Sequence, residues 1–287
     1  MRAKRGLFSL ILTVFALCVA CVAVAAYYLV FVVGWIWIFR EWGYEISYVG
    51  ALRAEMVSML AKYVPGGVWT PAARVVAMRR IGVTDAALVT GAMLLEAGLS
   101  AVSGVIVFAM SLAWVSGVNA PTIPLVTFGA VIAVLVQPRV FRPLSARVLR
   151  RLGHSALPPI RARTMASLLL FYCGTWIVAG VGLWLLLRAV QAHSTPSTIV
   201  FLGGTSAVGA IVAVLAVFAP SGLGAREASM YGMILAIAPR GAALGATVLN
   251  RVAITIVEAL LFGIGWLVLR RSTATPIAPR QSSLDGL

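Results

Sequence analysis

The sequence predicts an all-α fold: a polytopic membrane helical bundle of about seven to eight spans, two of its helices broken by Pro and Gly. Three observations carry this. Apolar residues make up 61% of the 287, and the mean hydropathy is +1.01. Charged residues make up 11%, less than half of the roughly 25% of a soluble domain. The apolar residues fall in runs near the roughly 20 residues that a bilayer core of about 30 Å demands of a helix. A soluble globule could not bury this much apolar surface. A disordered chain would be poor in it, and a nucleic-acid binder sets its basic residues on a polar fold. No nucleic-acid partner is expected.

In order, the runs are Leu7–Tyr28, Ile46–Tyr63, Ala86–Val115, Thr122–Val136, Met165–Leu187, Ile199–Phe218 and Gly241–Leu269. The first stays apolar to Phe39 without a clean stop, which favours an uncleaved span, long or broken, over a signal peptide. Ala225–Ile237 is too short to cross alone and has the length of a half-helix or re-entrant piece. Residues 1–271 thus read as one integral membrane domain, and 272–287 as a disordered cytoplasmic tail.

The net charge of +15 orients the chain. Arg2, Lys4 and Arg5 precede the first run, seven arginines from Arg139 to Arg163 fill loop 138–163, and Arg270, Arg271 and Arg280 follow the last run. Loops 116–121 and 191–197 carry no charge. The positive-inside rule puts both termini and loop 138–163 in the cytoplasm. Both termini on one side requires an even number of crossings, so Ala225–Ile237 is expected to complete an eighth. Trp35, Trp37 and Trp42 read as an interfacial belt.

Metal and redox chemistry find little footing. Cys18, Cys21 and Cys173 lie in apolar runs and read as packing residues. The two histidines, His154 and His193, lie in loops, and the two aspartates are Asp85 at a span edge and Asp285 in the tail. No metal site and no cofactor are expected.

Eight ionisable residues fall in or beside the apolar runs: Arg53, Glu55, Lys62, Glu96, Arg226, Glu227, Arg251 and Glu258. A charge at the bilayer centre costs at least about 2.5–3.5 kcal/mol, so such residues face a bundle interior, a wet cavity or one another. Arg251 and Glu258 are two helical turns apart and share a face, beside Asn250.

Two of these groups sit at helix breakers. Lys62-Tyr-Val-Pro65-Gly66-Gly67-Val-Trp69 leads to Arg74, and Pro220-Ser-Gly222-Leu-Gly224-Ala-Arg226-Glu227 has the same grammar of apolar span, Pro, Gly-rich turn and basic residue. Non-helical backbone at membrane depth survives only when buried in protein or lining a cavity. Two such segments in corresponding halves point to a repeat-built transport fold with its site between the repeats.

These two motifs in this order, with Glu96 and Arg251, resemble the transmembrane region of the lysylphosphatidylglycerol synthases over nearly the whole chain. Ser221 stands where that pattern commonly has glycine. The resemblance implies a lipid-translocating (flippase-like) domain of a prokaryotic inner membrane. This chain reads as a stand-alone member: only about 16 residues follow Arg271, too few for an aminoacyl-transferase domain, so lipid aminoacylation is not expected.

The leading expectation is a flippase or scramblase, not an enzyme, for an anionic phospholipid or a polyprenyl-phosphate-linked lipid. Lys62, Arg74, Arg226 and Arg251 would bind the lipid phosphate. Glu96, Glu227 and Glu258 would hold those cations or exchange protons. Pro65, Gly66, Gly67, Trp69, Pro220, Gly222 and Gly224 would break the helices. No nucleotide-binding motif supplies ATP-driven pumping. The alternatives are a glycosyl or phosphoryl transferase with a lipid-phosphate donor, and a non-transporting partner of an envelope-synthesis enzyme. The second would rely on packing residues such as Gly241 and Gly245.

Overall fold

The computed structural model describes residues 2–64, 69–113, 115, 122–151, 155–190 and 194–269. Pro65, Gly66 and Gly67 of the first motif and the tail 272–287 lie outside the described residues. Among those described, ten α-helices and three short 3-10 turns are present and no strand.

The helix α1 (Arg2–Glu41) runs unbroken for 40 residues, about 60 Å at 1.5 Å per residue. α2 (Tyr48–Met59) begins where Ser47 Oγ accepts from the Gly50 N–H, and it ends in a tighter turn, Leu60–Tyr63. α3 (Trp69–Arg79) follows. Asp85 caps α4 (Ala86–Ser111) by accepting from the N–H groups of Ala87 and Leu88. α5 (Thr122–Val136) and α6 (Pro138–Arg151) meet at 69° where Pro138 has no N–H to continue the helix. Then come α7 (Ala162–Val190), α8 (Ile199–Leu215), the turn Pro220–Gly222, α9 (Ala225–Ile234) and α10 (Arg240–Leu269).

Five stretches are long and apolar enough to cross a bilayer, and six if α5 and α6 count as one bent span. The remaining predicted runs are apolar but short. Ile46–Tyr63 holds the 12-residue α2 and its closing turn, about 18 Å of α-helix. α9 has 10 residues, about 15 Å, and cannot span. Hydropathy measures apolar content, and a helix can end inside an apolar run, as α2 does where it tightens at Leu60.

Helix directions revise the predicted topology. α1 and α7 run antiparallel, with Gly182 beside Ala23, Gly34 against Tyr172, and Glu41 3.8 Å from Arg161. α10 runs the same way as α1, since Val24 lines a cavity with Asn250 and Ile254 while Tyr28 bonds Glu258. The start of α1 and the end of α10 therefore lie at opposite ends of the bundle. Ile46–Tyr63 and Ala225–Ile237, both counted among the expected crossings, are arms of the α2–α3 and α8–α9 pairs, which turn back, so neither adds a crossing. The tryptophan belt is revised too: Trp35 and Trp42 are core residues, and only Trp37 of the three is exposed.

Two hairpins enter this frame from opposite ends. In α2–α3, Gly50 lies beside Ile81 and Ser58 bonds Arg74; its open end packs with Trp42 and Leu157. In α8–α9, Gly222 lies against Ala213 and Gly209 against Met230; its open end packs with Leu187 and Ala243. Their tips, Leu60–Tyr63 and Pro220–Gly222, touch. Opposed hairpins meeting tip to tip are the geometry of inverted repeats.

Small residues bring the long helices together. A Cβ on Gly180 of α7 would stand 2.3 Å from the Ile199 carbonyl oxygen and 2.6 Å from the Gly203 nitrogen of α8. Without a hydrophobic drive between helices in lipid, such backbone approach is the main source of packing energy.

Candidate functional site

The chain turns twice at the tips, and the turns carry the chemistry. Ser221 adopts φ 53° and Gly222 φ 65°, both left-handed, and Gly224 at φ 84° precedes α9. Glu227 then reaches back to accept the Gly224 N–H at 2.7 Å. That bond fixes where α9 starts, so Arg226 projects from its first turn. Across the tip contact, the tight turn Leu60–Tyr63 presents Lys62 and Tyr63.

Three donors converge on the Glu258 carboxylate, which is 1% exposed: Lys62 Nζ, Tyr28 Oη and, at 2.8 Å, Tyr63 Oη. Arg251, two turns earlier on α10, points elsewhere. Its Nη1 lies 3.3 Å from Glu227 Oε1 and donates to the Ser221 carbonyl at 3.4 Å, tying α10 to the second tip. The shared face of Arg251 and Glu258 is real, but each pairs with a different hairpin.

Arg226 differs from these. Among the described residues it makes no ion pair, and its Nε is sealed from solvent without a hydrogen-bond partner. It lines a cavity of about 180 Å³ between α1, α7, α8, α9 and α10, with Tyr27, Tyr28, Trp176, Ser206 and Asn250. Lys62 lies within electrostatic reach of both Arg226 and Arg251. The tips thus gather three cations and two carboxylates, an excess of one positive charge.

Arg74 is held apart. Its guanidinium pairs with Glu55, stands 3.4 Å from Glu96 Oε2, donates to Ser58 Oγ at 3.0 Å, and lies 5.0 Å over the Trp35 ring. All three ionic groups are buried. This is one cation against two carboxylates.

Of the four predicted phosphate ligands, the structure therefore unites Lys62, Arg226 and Arg251 and separates Arg74. Of the predicted acids, Glu227 and Glu258 serve the tips and Glu96 serves Arg74. Trp69 is the exposed first residue of α3 and lines another cleft, of about 540 Å³, with Arg53, Arg80 and Trp266. Pro220 opens the short turn that follows α8, and Gly222 and Gly224 take left-handed backbone angles within and after it. Glu55, Tyr28, Tyr63 and Trp35 join the clusters without having been singled out as site residues. Their signal was available: a polar side chain inside an apolar run needs a partner. Among the described residues no three His, Cys, Asp or Glu gather as a metal ion would require.

No curated protein matches the chain. The family model described as the lysylphosphatidylglycerol synthase TM region matches residues 5–261. With its long apolar helices, the protein is a multi-pass membrane protein of the flippase-like domain kind. The chain belongs to the lysylphosphatidylglycerol synthase TM region family.

Proposed function

We propose that this protein is a lipid translocase, not an enzyme, that passes an anionic lipid across the cytoplasmic membrane of a prokaryote between its two hairpin tips. The observation that supports it is Arg226. A guanidinium with a sealed, unpartnered nitrogen at membrane depth is costly unless an anion completes it. A phosphodiester carries one negative charge, which matches the single positive excess at the tips. Guanidinium groups bind phosphate oxygens in a planar fork, while Lys62 contributes a point charge. The cavity has room for a phosphate-sized group; the acyl or polyprenyl chains remain in the bilayer. The class covers phospholipids and polyprenyl-phosphate-linked lipids alike, and partner enzymes of envelope synthesis fit a protein that delivers or removes such lipids. The arginine-rich end, with Arg139–Arg163, faces the cytoplasm by the positive-inside rule.

The test is lipid movement in proteoliposomes containing purified protein and labelled phosphatidylglycerol, with phosphatidylcholine as a neutral-headgroup control. Wild type is expected to move the anionic lipid faster than empty liposomes, and Arg226→Ala to lose that gain. Equal rates for wild type and empty liposomes across anionic headgroups would sink the reading.

A further inference from the structure

The second buried cluster carries a charge imbalance of its own. Arg74, Glu55 and Glu96 are 4%, 9% and 5% exposed, and Arg74 is the one cation placed against the two carboxylates among the described residues. Fully ionised, the cluster would hold an uncompensated negative charge in the bundle interior, several kcal/mol above a neutral one. The guanidinium contacts both carboxylates, and among the described residues no third acid joins them to hold a metal ion. What remains small enough to neutralise the cluster is a proton. Glu96 Oε1 marks a place for it: the oxygen is sealed from solvent, and the neighbour within its reach is the Tyr172 hydroxyl, a neutral group that brings no charge.

Among the described residues, the groups recorded against the cluster are neutral. Ser58 of α2 and Trp35 of α1 are neutral. Tyr172 of α7 brings a buried neutral hydroxyl to face Glu96. Tyr27 of α1 lies within electrostatic reach of Glu55 and Glu96 on one side and of Arg226 on the other. The molecule therefore carries a surplus negative charge in one buried cluster and a surplus positive charge in the next, with Tyr27 between them.

We propose that the Glu55–Arg74–Glu96 cluster is a proton-binding site, holding one proton shared between the two carboxylates, and that its occupancy is coupled to anionic lipid at Arg226. The coupling rests on the translocase reading; the proton site itself does not. While Arg226 is unneutralised, its charge weakens the cluster's hold on the proton. When a phosphate neutralises Arg226, that weakening goes and the proton is held more tightly. Linkage makes the effect reciprocal, so protonating the cluster tightens lipid binding by the same factor. The proton enters as H⁺ from water on one face, bonds to a carboxylate oxygen, and leaves as H⁺; no redox partner is involved.

The experiment has two arms. In the first, infrared difference spectra of purified protein at neutral pH are compared between wild type, Glu96→Gln and Glu55→Gln. Glutamine mimics the protonated carboxyl in size and charge, and melting curves confirm folding. A protonated buried carboxyl gives a C=O stretch apart from the carboxylate bands; it is expected in wild type and lost in at least one variant. Absence of that band in wild type, or its survival unchanged in both variants, overturns the site. In the second arm, the proteoliposome assay is run with a pH gradient imposed in either direction. Wild-type rates are expected to differ about fivefold or more between directions, the low end of typical coupling energies, and Glu96→Gln to lose that difference. Lipid movement indifferent to the gradient overturns the coupling and leaves the translocase standing. No lipid movement at all overturns the translocase and its coupling, and the infrared arm then decides the proton site alone.

Discussion

Lys62 and Glu258, 196 residues apart, form an ion pair that closes the first hairpin tip against the last helix. The partners are unequally buried: the lysine side chain is 29% exposed and the glutamate 1%. Removing Lys62 strands a buried carboxylate with two tyrosines, whereas removing the glutamate leaves a lysine that can still reach water. Lys62→Met is therefore expected to lower the melting temperature in detergent more than Glu258→Gln. The double variant should recover part of the Lys62→Met loss. Intrinsic tryptophan fluorescence during a thermal ramp reads this directly, and equal losses for the two single variants would contradict the asymmetry.

Arg74 and Arg226 make a sharper contrast. Arg74→Ala leaves two buried carboxylates facing each other and should cost on the order of 3–5 kcal/mol, enough to reduce folded yield. Arg226→Ala removes a cation that has no ion pair among the described residues, so folding should be unchanged or improved while lipid movement is lost. Melting temperature and proteoliposome flux, measured on the same preparations, test both halves.

Ser221 occupies a left-handed backbone region that costs an L-residue roughly 1–2 kcal/mol. Ser221→Gly should raise stability by about 1 kcal/mol, since glycine enters that region freely but loses more chain entropy on folding. Gly222→Ala should do the reverse and more strongly. A Cβ there meets φ 65° and stands 2.3 Å from the Ala213 Cβ. Comparing the two melting shifts tests the backbone geometry of the second tip.

Gly180→Ala should separate α7 from α8, because its new Cβ would lie against backbone atoms of Ile199 and Gly203 that no side-chain rotation can move. By contrast, Gly241→Ala meets nothing within 4 Å and should be silent. Gly245 packs against Val190 of the same chain. Size-exclusion profiles of the two alanine variants give the check: a disrupted peak for Gly180→Ala and a wild-type peak for Gly241→Ala.

Both break motifs and the charged residues near them were legible in the sequence, because Pro, Gly and an ionisable group inside an apolar run each violate a local rule. Who pairs with whom was not. Arg251 and Glu258 share a helix face, yet their partners come from α9 and from the turn at Lys62, and no spacing along α10 encodes that. Trp35 shows the same limit. Its position near a span end fits an interfacial residue, and only the packing around it, with Phe39 of α1 and Arg74 of α3 against its ring, shows it buried. Span ends were misjudged wherever a helix stops inside an apolar run, as in α2. The crossing count went astray at Ile46–Tyr63 and Ala225–Ile237, because apolar content does not tell a crossing from the arm of a hairpin that turns back.

At the place where the hairpins meet, neither α2–α3 nor α8–α9 sends a helix through. Among the described residues, Lys62 and Tyr63 on one side and the Pro220–Gly222 turn on the other are what meet there. Rotating a side chain is orders of magnitude faster than tilting a helix. If the proposed translocation holds, a meeting of turns of this kind makes passage a matter of swapping ionic partners, with the bundle as its frame.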